Sequence, residues 1–180
     1  MLIRRKTKIT NKLQIKLLSD NATMPTRNHD TDAGFDIYAA ETVVLEPQEK
    51  ALIATDIAVN IPKGYVGLLT SRSGVSSKTH LVIETGKIDA GFHENMKINI
   101  KNDVSLFLPS GYGTQTLVNI ENNHIYDELN HHKIGSYVIN KGDKLAQLVI
   151  VPIWIPELEK VEEFDSESAR GTKGFGSSGY

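Results

Sequence analysis

Cysteine is absent from the chain, which excludes a disulfide framework and any thiolate metal site. No apolar run approaches the roughly 18 residues that a membrane-spanning helix needs. The segment Met1–Lys8 is basic, but no apolar stretch follows it, so it does not read as a secretory signal; a cytosolic protein is expected. Charge of one sign is also lacking. The net charge of −2 gives no electrostatic reason to expect nucleic acid or an acidic membrane as a partner. Neither a long helical stripe nor an internal repeat is visible. What is present is an ordinary globular composition, 39% hydrophobic, in 180 residues, enough for one domain.

The apolar residues alternate in short runs. Leu13–Leu17, Thr42–Leu45, Lys50–Val59, Tyr65–Thr70, Ser136–Asn140 and Lys144–Trp154 each read as strand, with turn residues such as Pro62-Lys-Gly64 and Lys141-Gly-Asp143 between them. This pattern predicts an all-β sandwich or jelly roll. Residues 1–12 are expected to be a solvated tail. About residues 103–136 lose the alternation; within them Glu121 to His132 is expected to form one short helix, and His131-His132 a solvated surface rather than a metal site.

Five stretches carry chemistry. In Gly86–Asn95, Ile88 reads as buried strand, Asp89 follows it, and alternation resumes at Met96, which predicts a β-hairpin presenting Asp89 and Phe92 to one cavity. A ring can stack on a flat substrate while a carboxylate orients a water; the same residues also suit a plain turn. Asp32 and Asp36 flank Gly34, and bracing of the loop is the role expected for Asp32. Ser71-Arg-Ser-Gly-Val-Ser-Ser-Lys78 closes a strand with hydroxyls, a glycine and cations, the make-up of a phosphate cradle, with Ser73 or Ser76 as a helix N-cap. Gln147 lies in the most apolar strand and needs polar partners. The Gly/Ser-rich tail from Ala169 contains Arg170, Lys173 and Phe175, the composition of an arm that closes over a charged, flat ligand.

Five motifs, in order across nearly the whole chain, resemble the homotrimeric deoxyuridine triphosphatases (dUTPases): Asp32-Ala-Gly-Phe-Asp-Ile-Tyr-Ala39, Ser71-Arg-Ser-Gly-Val75, Gly86-Lys-Ile-Asp-Ala-Gly-Phe92, Lys141-Gly-Asp-Lys-Leu-Ala-Gln147 and Arg170-Gly-Thr-Lys-Gly-Phe-Gly-Ser-Ser-Gly179. The irregular insert and the wording around the second motif look like the dUTPases of staphylococcal phages. The resemblance implies a distorted jelly-roll β-sandwich with a short helical or irregular insert. It divides the chain into a β-domain over 1–163, with the insert at about 103–136, and a closing arm over 164–180. It also implies a homotrimer with sites shared between subunits and hydrolysis of dUTP to dUMP and pyrophosphate. Such an enzyme limits uracil incorporation into DNA and supplies dUMP. On this analogy Asp89 orients the water that attacks the α-phosphorus. Strand backbone around residues 82–88, with Gly86 and Ile88, reads uracil. Phe92 stands where the family usually has Tyr and stacks under the deoxyribose. Ser73 donates to the oxygen between the α- and β-phosphates, and Arg72, Gly74 and Gln147 hold phosphates. Arg170, Phe175, Gly176, Ser177 and Ser178 form the arm, with Ser178 in place of the usual Thr. Mg2+ is implied as cofactor, held mainly by the substrate phosphates, with Asp36 bracing it indirectly.

Two other readings remain at this level. One is an enzyme similar to dCTP deaminases, which share the fold. The other is a regulatory binding module, because the insert has no part in the five motifs. In the phage subgroup the resemblance implies a protein partner, a repressor of mobile islands, engaged through the insert and the rim of the site. Neither a membrane nor direct nucleic-acid binding is expected.

Overall fold

The computed structural model describes residues 11–105 and 113–166. In chain order the strands are β1 (Gln14–Leu17), β2 (Gly34–Tyr38), β3 (Val43–Leu45), β4 (Lys50–Ala54), β5 (Ile57–Asn60) and β6 (Tyr65–Ser71). The short helix α1 (Ser73–Lys78) comes next, then β7 (Leu81–Ile83), β8 (Gly86–Ile88) and β9 (Lys97–Asn102). The last group is β10 (Gly113–Thr114), β11 (Thr116–Val118), β12 (His124–Tyr126), β13 (His132–Lys133), β14 (Tyr137–Ile139) and β15 (Lys144–Pro152). No helix among the described residues is long and apolar enough to cross a membrane.

Two four-stranded sheets, in the orders β2-β15-β6-β8 and β12-β11-β14-β3, and a three-stranded sheet, β4-β9-β7, supply most of the pairing. The pairs β1-β5 and β10-β13 complete it. Each sheet turns one face inward, and alternate apolar residues meet there: Ile37, Leu45, Ile53, Leu69, Ile98, Ile100, Ile139, Leu145 and Leu148 are all buried in one core. The β-sandwich expected from the alternation is what the chain forms.

Three expectations fail. Gly86–Ile88 and Lys97–Asn102 do not make a hairpin: β8 pairs with β6, whereas β9 pairs with β4 and β7. Both partners of β9 run antiparallel to it; β7, the preceding one in the chain, meets it through Ile83↔Ile100, so residues 84–96 form an excursion that crosses to the neighbouring sheet and returns. The insert is not helical over Glu121–His132. It contains β12 and β13, with a turn at Asn119–Asn123 held by the Asn119 carboxamide, whose Oδ1 accepts from the N–H groups of Glu121 (3.0 Å) and Asn123 (2.8 Å). Side-chain acceptors that capture nearby N–H groups in this way compete with helix. Nor is His132 a solvated surface residue: its Nε2 is 2.8 Å from Asp127 Oδ2, and the ring is largely covered. Asp127 also accepts from Leu129 and Asn130; led by His132, these bonds hold its carboxyl down to about 2. Glu46 meets Lys133 in an ion pair at the return of the insert.

Candidate active site

Asp36 is the centre of one cluster. It lies in β2, buried, directly opposite Gln147 of β15. Gln147 Nε2 donates to Asp36 Oδ1 at 3.2 Å, and Arg72 Nε donates to the same oxygen at 2.9 Å. Lys144 Nζ sits 3.0 Å from Oδ2, an ion pair on the other carboxylate oxygen. Burial pushes the Asp36 carboxyl up; Lys144, Gln147 and Arg72 together outweigh it and hold the group below its ordinary value. The same contact raises Lys144.

The backbone explains why four residues from three motifs converge here. Strand alternation would put Lys144 and Gln147 on opposite faces. The register of β15 against β2 shifts between Lys144 and Ala146, a β-bulge that brings both side chains to one carboxylate. Arg72 follows the last residue of β6, its N–H donating to the Leu145 carbonyl at 3.3 Å. Arg72 is also the N-cap of α1, with φ −75° and ψ 140°, and makes no side-chain cap bond. Ser73 is therefore the first helical residue and not the cap, and Ser76 lies inside the helix with its hydroxyl donating back to carbonyls including Arg72. Ser73 and Gly74 stay exposed at the helix start beside the cluster, and a Cβ built on Gly74 would meet nothing.

Asp89 and Phe92 form the second cluster. Asp89 is exposed one residue beyond β8, and Phe92 is 40% exposed with its N–H donating to the Asp89 carbonyl at 3.1 Å across a turn in which Gly91 has φ +94°. Gly86 and Ile88 are paired to Leu69 and Gly67 of β6. The two clusters lie at opposite ends of β6. Asp89 follows the residue opposite Gly67, whereas Arg72 follows Ser71; six strand residues span about 20 Å. One chain does not bring Asp89 to Ser73 and Arg72. Arg170, Phe175, Gly176, Ser177 and Ser178 lie outside the described residues.

Asp32 accepts from the His29 N–H at 3.0 Å, the loop-bracing contact expected of it. Lys144 was not singled out from sequence; it stands inside the motif Lys141–Gln147, but only the bulge reveals where it points. No group of three or more His, Asp or Glu residues that could hold a metal ion exists among the described residues.

The sequence profile of the dUTPase family matches residues 20–107 and 129–179, leaving 108–128 between the matched spans. The deoxyuridine 5'-triphosphate nucleotidohydrolase of Mycobacterium marinum is 35% identical over 177 residues, covering 95% of this chain and 97% of the relative. The dUTPase of Staphylococcus bacteriophage 80alpha, solved with dUpNHpp, is 67% identical with a TM-score of 0.87, covering 95% of this chain and all of the other. That structure is described in terms of phage dUTPases controlling transfer of virulence genes by a G protein-like mechanism. A dUTPase mutant from phage phi11 of S. aureus, reported to coordinate a structural Mg(II) ion, is 65% identical with a TM-score of 0.82 over 87% of this chain. With matched spans that contain all five motifs and most of the chain's length, the chain belongs to the dUTPase family.

Proposed function

We propose that the chain hydrolyses dUTP to dUMP and pyrophosphate at a site built from more than one copy, with Asp89 orienting the water that attacks the α-phosphorus. The observation that carries this reading is the convergence of Asp36, Arg72 and Gln147 on one point beside the exposed Ser73, while Asp89 and Phe92 stand ready but about 20 Å away. A triphosphate held at the first cluster cannot meet Asp89 of the same chain. A second copy can supply it. The segment after β15 favours such an assembly: Trp154, Leu158 and Phe164 are 88%, 98% and 88% exposed, far more apolar surface than a lone chain leaves in water. A homotrimer satisfies both observations.

In this site the carboxylate of Asp89 accepts a proton from the attacking water, so that the oxygen lone pair meets the α-phosphorus as the bond to the α–β bridging oxygen breaks. Ser73 donates to that leaving oxygen. Arg72 and Gln147 are held in place by Asp36, so they meet the phosphates without reorganising. Phe92 supplies a flat wall for the deoxyribose; the phenol usual at this position is absent, and the ring's shape excludes a 2′-hydroxyl. The tail residues Arg170, Phe175, Gly176, Ser177 and Ser178 close over the nucleotide. Both oxygens of Asp36 already face cations, so this acid suits an indirect role; Mg2+ carried on the phosphate oxygens offsets their charge when bound. The substrate is a cytosolic nucleotide, and we place the enzyme with it.

The insert supports a second role, engagement of a protein partner such as a repressor of phage-related islands. It exposes Tyr126 and Leu129 from a small β-unit that falls partly in the unmatched span 108–128. The test of the enzymatic role is pyrophosphate release from dUTP, dCTP and UTP with magnesium. Turnover confined to dUTP is expected; ammonia release from dCTP would move the chain to the deaminases, and no turnover would leave a binding module.

A further inference from the structure

The loop that carries Asp89 and Phe92 is short and anchored at both ends. Its start is fixed by β8, whose three residues pair with β6. Its end is fixed at Asn95 and Met96. The Met96 N–H donates to the Ile57 carbonyl at 2.9 Å, Thr55 Oγ1 donates to the Met96 carbonyl, and the Met96 side chain is buried. Between these anchors lie six residues, 89–94, closed by the turn from the Asp89 carbonyl to the Phe92 N–H.

The anchor at Asn95 is a ring of two hydrogen bonds. The Asp56 N–H donates to Asn95 Oδ1 at 3.0 Å, and Asn95 Nδ2 donates to Asp56 Oδ1 at 2.7 Å. The other carboxylate oxygen, Oδ2, accepts from Ser19 Oγ at 2.6 Å. Asp56 adopts φ +53°, the left-handed region that Asp and Asn tolerate better than other side-chain-bearing residues; this turns its N–H toward Asn95. A second tether runs from His93 to β5. Asn60 Nδ2 donates to Gln14 Oε1 at 2.7 Å, which leaves Asn60 Oδ1 to accept from His93 Nε2 at 3.1 Å.

We propose that the Asp56–Asn95 clasp sets the position of Asp89 and Phe92 for hydrolysis, which makes both residues positioning residues and rests on the role of Asp89 given above. A two-point contact fixes orientation as well as distance, and six residues between fixed ends have little slack. Movement of Asn95 is passed to Asp89, and small displacements of reacting groups are costly: about 1 Å can cost ~100-fold in rate.

The test uses the full chain and four variants. N95D sets two carboxylates face to face. D56N/N95D reverses the donors: the residue 56 N–H and its carboxamide both donate to the residue 95 carboxylate, while the residue 56 carbonyl oxygen still accepts from Ser19. N95A removes both bonds without adding charge and carries the test if N95D does not fold. D89N is measured beside them. At pH 8, N95D or N95A is expected to lower kcat by about 10- to 100-fold, with a smaller loss of affinity for dUpNHpp. The double swap is expected to return kcat to within about fivefold of the unsubstituted chain. The clasp is overturned if N95D and N95A keep kcat within about twofold, or if the swap restores thermal stability and leaves kcat as low as in N95D. An inactive D89N alongside a fully active N95D overturns the clasp alone, whereas a fully active D89N overturns the role of Asp89 and the clasp with it.

Discussion

Asp89 is exposed, and its side chain sits at the end of a strand rather than in the core, so removing its charge should touch chemistry more than folding. D89N is expected to lower kcat for dUTP by about 10²- to 10⁴-fold with little change in the melting temperature, measured by pyrophosphate release and thermal denaturation. Asp36 is the opposite case. It is buried between two cations, and D36A leaves Arg72 and Lys144 side by side without a counter-charge. A loss of about 3 kcal/mol in unfolding free energy is expected, the low end for broken buried ion pairs because both cations are partly solvated. The sign of its pH dependence follows from the direction of the shift. The folded carboxyl titrates below its ordinary value of 3.8, so its contribution is complete above that pH and is lost as the pH falls through the folded value. Urea titrations at pH 6 and at steps below pH 3.8 should show the unsubstituted chain keeping its advantage over D36A at the first and losing it progressively in the second. At this scale the motifs named Asp36, Arg72 and Gln147, and the fold brings these three together. Lys144, Asn95 and Asp56 were not legible, because a bulge and a left-handed turn are backbone events with no spacing signature.

Strands were legible as strands because alternation reports which face of each is buried. Alternation says nothing about which strand lies alongside, which is why Ile88 and Ile98 look like two arms of one hairpin while β8 and β9 belong to different sheets. The insert failed for another reason: Asn119 and Asp127 satisfy local N–H groups with their side chains, and that chemistry leaves no hydrophobic period to read. Gly135 closes the insert at φ +90°, and a Cβ there would lie 2.7 Å from Val104 Cγ1. G135A should therefore lower the melting temperature by several degrees, the cost of strain plus a displaced Val104. Truncating the exposed insert side chains in Y126A/L129A should spare dUTP hydrolysis and weaken binding of the proposed repressor partner; unchanged partner affinity would remove this face of the insert from that role.

At the scale of the molecule, the decisive feature is that β6 separates the Asp36–Arg72–Gln147 cluster from Asp89 and Phe92. The sheet order that does this was not readable from the chain, and the expectation of shared sites came from the resemblance alone. The central claim is that Asp89 of one copy serves the phosphate-binding residues of another. The most direct test mixes two inactive variants. D89N lacks the acid; Ser73→Glu puts a negative charge where the triphosphate would sit, and it does so at a helix start where a carboxylate is tolerated. The two proteins are unfolded together, refolded at equal amounts and assayed for pyrophosphate release from dUTP. Sites shared between copies predict recovery of about a quarter of the unsubstituted activity, the fraction of random interfaces that join two intact halves. A mixture no more active than its two components would contradict the account and return the whole site to a single chain.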